Sequence, residues 1–212
     1  IGSSIDYNFQ FYRVPLLSNL NDKKNISNSI KKIELLDLLG RKPILLDTAI
    51  ISKQLAHKTI LVTGAAGSIG SEITRQLLRY NPTRIILFDQ SESPLHDLTL
   101  EIKSICHSIV VETVIGDVRT LATLEGLFER YTPQLVYHAA AYKHVPLMEA
   151  NPSQAILTNV LGTKNVADLA CRYQVERFVM VSTDKAVNPS SVMGASKRIA
   201  ELYVQSKHHF GF

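Results

Sequence analysis

One string, Gly64-Ala65-Ala66-Gly67-Ser68-Ile69-Gly70, limits the fold of this chain more than any other. It follows the continuous apolar run Thr59-Ile60-Leu61-Val62-Thr63 and opens a segment with Ile69, Ile73 and Leu77 at helical spacing. An apolar run without polar alternation reads as a strand covered on both faces. Glycines spaced GxxGxxG between such a strand and a helix have separate tasks. Gly64 permits the tight turn, Gly67 lets the backbone approach a pyrophosphate, and Gly70 lets the helix pack closely on the sheet. Free N–H groups in the first turn, around Ser68 and Ile69, then face the phosphates together with the positive end of the helix dipole.

The alternation continues along the chain. Arg84–Asp89, Ile109–Ile115, Leu135–Ala140 and Phe178–Ser182 read as four more strands. Helices are expected over 68–80, with Ile69, Ile73 and Leu77 inward, over 94–103, around 121–128, over 152–173 and over 193–208. Right-handed crossovers then give an α/β, Rossmann-like doubly wound parallel sheet with helices on both faces and strand order 3-2-1-4-5. This domain is expected over residues 58–212. Residues 1–57 read as an arm: a polar, aperiodic stretch to 27, an amphipathic helix from Ser29 stopped by Gly40, an extended piece from Arg41, and a short helix over Ile50–Leu55.

Charge excludes one class of partner. Residues 1–57 hold eight Lys/Arg against five Asp/Glu, and residues 58–212 fifteen against fourteen. The main domain is nearly neutral, so no nucleic-acid surface is expected; the basic excess of the arm suits a solvated face or an anionic membrane nearby. Cys106 and Cys171 have no metal-site spacing and read as reduced, structural thiols. No metal site is expected. No apolar run is long enough to span a bilayer. The chain opens on Ile1 and is read as a segment of a longer protein, with any membrane span upstream.

Several side chains cluster at strand ends. Asp89 ends strand two, where a carboxylate accepts hydrogen bonds from ribose hydroxyls and repels a 2′-phosphate, which favours NAD over NADP. Asp117 after strand three suits either an adenine amino contact or a helix N-cap. Ala139, Ala140 and Ala141 after strand four are small enough for a cofactor to pass over them, and tight packing explains them equally well. Lys143 and His144 follow and suit either a sugar nucleotide or a loop surface. After strand five come Thr183, Asp184 and Lys185, and further on Met193 and Lys197. A thioether has no ionisable proton, so Met193 cannot act as a general base. Either the chain is a disabled relative of an enzyme family, or its neighbours move the protons.

The strings GAAGSIGSE (64–72), DQSE (89–92), GDVR (116–119), AAAYKHVPLME (139–149), NVLGTKNV (159–166) and STDKAVNPSSVMGASKRIAE (182–201) resemble the polysaccharide-biosynthesis branch of the extended short-chain dehydrogenase/reductases. The likeness covers about residues 29–212. Met193 and the string LLGRKP (38–43) resemble its long, membrane-anchored members, in which methionine replaces a tyrosine. The resemblance implies a UDP-N-acetylglucosamine 4,6-dehydratase with bound NAD. Hydride leaves sugar C4, water is eliminated across C5–C6, and the hydride returns to C6. It implies that Asp184 protonates the departing 6-hydroxyl and that Lys185 takes the C5 proton. It further implies that Ser91, Val118 and Lys197 hold the cofactor and that Asn188 lies on the substrate. Burial beside the cofactor would have to raise the Asp184 pKa and lower that of Lys185, whereas a simple ion pair pushes both the other way. The base for the C4 hydroxyl is open among Thr183, a water and ionised Asp184. The resemblance also implies a homo-oligomer, a cytoplasmic domain of a parent anchored to the inner membrane, and a sixth strand and substrate-binding part beyond Phe212. A nucleotide-sugar epimerase and a non-catalytic NAD-binding regulatory protein remain as alternatives.

Overall fold

The computed structural model describes residues 12–13, 31–32, 47–106 and 108–208. The chain divides into two compact units, 1–47 and 48–212. In the first, Tyr12–Arg13 pairs antiparallel with Lys31–Lys32. This corrects two expectations: the aperiodic arm contributes a strand, and the helix from Ser29 is extended at Lys31–Lys32. The rest of that helix and the piece from Arg41 lie outside the described residues.

The second unit carries a five-stranded parallel sheet: β1 (Thr59–Thr63), β2 (Arg84–Asp89), β3 (Val110–Ile115), β4 (Leu135–His138) and β5 (Arg177–Met180). Their order is β3-β2-β1-β4-β5, as the alternation implies. The central strands are apolar because both faces are covered. Ile60, Leu61, Val62, Ile85, Ile86 and Leu87 are all fully buried. On one face Leu61, Ile86 and Val136 meet Phe128 of α4 (Leu121–Tyr131) and Leu169 of α7 (Thr163–Arg172). On the other, Ile60, Val62 and Ile85 meet Leu77 of α2 (Ser68–Leu77) and Leu95 and Ile102 of α3 (Glu92–Ile105).

Helix α1 (Thr48–Leu55) belongs to this unit, ten residues before the boundary read from the sequence. Its Leu55 is buried in the same cluster as Ile60 and Leu77. Within α2 the inward stripe is shorter than the spacing suggests. Leu77 is buried and Ile73 partly so, but Ile69 is 50% exposed because the first turn projects beyond the strand ends.

After β4 come α5 (Val145–Ala150) and α6 (Pro152–Ala155). The segment Ile156–Gly162 then winds as a π-helix and continues into α7. The sequence reads a helix over 152–173 but does not show the π turn, a feature common at functional sites. A short 3₁₀ turn, Asp184–Ala186, follows β5, and α8 (Val192–His208) closes the described chain.

Candidate active site

All five strands run parallel, so their carboxyl ends open on one edge of the sheet. A cleft of about 250 Å³ lies there, lined from β1 by Gly64, Ala66 and Gly67, from β2 by Asp89 and Ser91, from β3 by Asp117 and Val118, and from β4 by Ala139, Ala140 and Ala141. Nine of the residues expected at a cofactor therefore meet in one concavity. Open parallel sheets of this kind bind ligands at such an edge.

The glycine loop fits a dinucleotide cradle. Gly64 has φ of +68°, and a Cβ there would lie 2.5 Å from the Ala140 backbone nitrogen. A Cβ on Gly70 would run into the Gly64 carbonyl, so the first turn of α2 seats directly on the loop. Gly67 is exposed, and the N-cap it provides has no side-chain bond. The N–H groups of Ser68, Ile69 and Gly70 are thus left for an anion. Asp89 braces the loop: one oxygen accepts the Ala66 N–H at 3.0 Å and the other the Ser91 N–H at 2.9 Å.

Asp117 faces the cleft but does not cap α4; Thr120 holds that position. Burial favours its neutral form, yet Arg119 outweighs this and holds the carboxyl below its usual range. The Arg119 backbone N–H and Nε donate to it at 2.9 and 2.7 Å, and the same guanidinium reaches Gln154. Lys143 points to the glycine loop, its Nζ 3.5 Å from the Ser68 hydroxyl, so it stands beside the first turn of α2. His144 is exposed as the N-cap of α5.

The residues after β5 form a second group. Thr183 caps the 3₁₀ turn by accepting the Lys185 N–H and donates to Asp184 Oδ1 at 2.9 Å. Lys185 Nζ reaches the same oxygen at 3.2 Å. Both charged side chains are exposed, and hydrogen bonds from Thr183 and then Lys185 hold the Asp184 pKa below its ordinary value. The shift at Asp184 has the direction that an ion pair with Lys185 gives, opposite to the rise that burial would produce. Asn188, also exposed, adopts a left-handed φ of +48° in the loop that leads to α8.

Met193 is 3% exposed and packs with Met148, Ala155, Tyr142 and Val145. Its side chain fills a small apolar cluster. Gly194 beside it has a definite task, because a Cβ there would strike the Lys185 carbonyl. Four residues after Met193, Lys197 is buried and donates to the Val181 carbonyl at 2.7 Å. Burial pushes its pKa down to about 8, against a small opposing pull from Glu201.

Sequence reasoning missed several participants. His138, fully buried, lies 2.6 Å from the Thr63 hydroxyl and 2.9 Å from that of Thr163, tying β1 and β4 to α7. Burial first, and the Lys197 charge second, lower its pKa to about 3, so it stays neutral. Asn159 accepts the Tyr142 N–H and donates to the Tyr142 carbonyl and the Ser196 hydroxyl. Gln90, Tyr142 and Thr158 also line the cleft. Their periodicity gives no sign of this, since a loop and a π turn place them. Among the described residues no group of acidic, histidine or cysteine side chains could hold a metal ion, and no helix is long and apolar enough to cross a membrane.

Comparison with known proteins accords with this geometry. A family profile described as polysaccharide biosynthesis protein matches residues 60–211. A capsular polysaccharide biosynthesis protein, CapD of Staphylococcus aureus, is 49% identical over 93% of this chain and 33% of its own length. An inverting UDP-N-acetylglucosamine 4,6-dehydratase of Campylobacter jejuni is 38% identical over 73% of this chain and 45% of its own. A UDP-glucose 4-epimerase of Rickettsia typhi is 36% identical over 71% and 43%. The X-ray structure of Pen from Bacillus thuringiensis superposes with a TM-score of 0.68 at 32% identity, over 73% of this chain and 48% of the other. The chain thus spans a third to a half of the length of these relatives.

Proposed function

This chain belongs to the polysaccharide biosynthesis protein family, and from that premise we propose that it is the dinucleotide-binding part of a nucleotide-sugar 4,6-dehydratase acting on UDP-N-acetylglucosamine. The observation that carries the reading is the capped turn Thr183-Asp184-Lys185 at the carboxyl edge, with Met193 withdrawn into an apolar cluster. Epimerisation needs one group to serve the C4 hydroxyl. Dehydration needs in addition a base at C5 and an acid at the C6 hydroxyl, and Asp184 and Lys185 supply such a pair.

The fit of the glycine cradle and Asp89 supports NAD, which the N–H groups of α2, Lys143 and Lys197 would hold. When bound, it supplies a reversible hydride acceptor for sugar C4. The chain's own residues handle the protons. Ionised Asp184, reached through the Thr183 hydroxyl, takes the C4 hydroxyl proton. That step leaves Asp184 protonated, the form needed to donate to the departing C6 hydroxyl. Lys185 in its neutral form removes the C5 proton and later returns one there. Asp184 ends as it began, so the low pKa of the resting carboxylate is compatible with its later role as an acid.

Self-association is part of the proposal. It is supported by exposed Ile156, Leu157 and Leu161 on the π segment and exposed Ile199 and Leu202 on α8, two elements packed together. Membrane attachment of a longer parent rests on the family likeness alone.

Substrate deuterated at sugar C4 separates the two enzymatic readings. Dehydration moves the label to C6, whereas epimerisation returns it to C4. Label at C6 is expected; label retained at C4 in a product of unchanged mass would replace this reading with the epimerase.

A further inference from the structure

We infer that Glu149, on α5, is a positioning residue for the elimination step: its carboxylate anchors the first turn of α8, and that turn holds Lys185 in place through Gly194. The inference rests on the dehydratase reading of the site. Glu149 Oε1 accepts the backbone N–H of Val192 at 2.7 Å, across 43 residues of sequence. The Ser191 hydroxyl accepts the N–H of Gly194 at 3.1 Å. Two of the N–H groups that a helix leaves unpaired at its start are thus satisfied, one by the adjoining residue and one from another element. The carboxylate also meets the positive end of the dipole of a 17-residue helix. Ser191 alone is an ordinary N-cap. An acceptor supplied by α5 does something further: it fixes where the helix begins in space.

Three successive residues of α8 carry the connection. Val192 receives the Glu149 bond, and Met193 packs on Met148, the neighbour of Glu149 on α5. Gly194 then lies so close to the Lys185 carbonyl that a Cβ would strike it. The helix packs both on α5 and on the 3₁₀ turn. The Asp184 and Lys185 side chains are exposed, and their bonds run to each other and to Thr183. Their position therefore depends on the backbone behind them, and the first turn of α8 is seated against that backbone. A displacement of about 1 Å at a reacting group can cost about 100-fold in rate. Releasing Val192 from Glu149 frees the first turn of α8 to shift, and Lys185 shifts with it.

The test is steady-state dehydration by the full-length parent with NAD and UDP-N-acetylglucosamine carrying hydrogen or deuterium at sugar C5. Glu149→Ala leaves the Val192 N–H to water, whereas Glu149→Gln keeps an oxygen that accepts it. In Ala, kcat should fall about tenfold while KM and NAD affinity stay within about twofold. The C5 isotope effect on kcat should rise, because proton removal by a displaced Lys185 becomes the slower step. Gln should return kcat to within about threefold of wild type. In a Gly194→Ala background, where the connection is already broken, Glu149→Ala should lower kcat by less than about twofold. Wild-type kcat in Ala would overturn the inference, as would equal loss in Ala and Gln. A lower kcat with an unchanged isotope effect would also overturn it, since loss of folded protein alone gives that result. A wild-type parent that yields no product lighter by one water would instead remove the dehydratase reading, and the inference with it.

Discussion

At the scale of single residues, the site is set by what a few positions exclude. Gly70 has no room for a side chain because the Gly64 carbonyl occupies that space. Gly70→Ala is expected to push α2 off the loop and weaken NAD binding by about 100-fold, with a lower melting temperature, measured by calorimetry and thermal unfolding. Lys197 carries a different constraint. Its folded pKa of about 8 lies below the unfolded 10.5, so the unfolded state binds more protons between these values. The cost of burying the charge is therefore fully present below pH 8 and fades as pH rises toward 10.5. Lys197→Met is expected to melt above wild type at pH 7, by a margin that shrinks across that window. A margin independent of pH would show that the ammonium is not titrating in place. The glycines were legible in the sequence because backbone clashes depend on residue type and spacing, and the place of Asp89 because it ends an apolar strand. Thr158 and His138 were not, because their significance depends on which atoms surround them.

At the scale of elements, β1 to β5 and their order follow from apolar runs and crossovers, and the main helices from periodicity. The π turn over Ile156–Gly162 does not, since Asn159 and Gly162 stabilise it through contacts distant in sequence. The Lys31–Lys32 strand was missed for a similar reason: its partner, Tyr12–Arg13, lies in a stretch with no pattern of its own. The junction of the 3₁₀ turn with α8 carries a prediction. Gly194 lets the Lys185 carbonyl sit against the first turn of α8. Gly194→Ala is expected to displace the Asp184–Lys185 turn and lower the dehydration rate by at least about tenfold, while NAD affinity stays within about threefold. Equal loss of rate and affinity would mean that the turn and the cleft are not separate parts of the site.

At the scale of the whole molecule, the sheet unit begins at Thr48, because α1 contributes Leu55 to its core. Sequence alone put the boundary at Lys58, where the strand–helix alternation becomes visible. The exposed apolar residues of the π segment and α8 suit a surface covered by another copy of the chain. Ile199→Asp with Leu202→Asp is expected to shift sedimentation from an oligomer to a monomer; an unchanged sedimentation coefficient would remove this face as the interface. The central claim is that the Asp184–Lys185 turn, without a tyrosine at 193, completes a dehydration. The most direct measurement is the mass of the sugar nucleotide recovered after UDP-N-acetylglucosamine is incubated with NAD and the full-length parent. A product lighter by one water, lost in both Asp184→Asn and Lys185→Ala while NAD binding persists, is the predicted result. A product of unchanged mass, or full turnover by either variant, would contradict it.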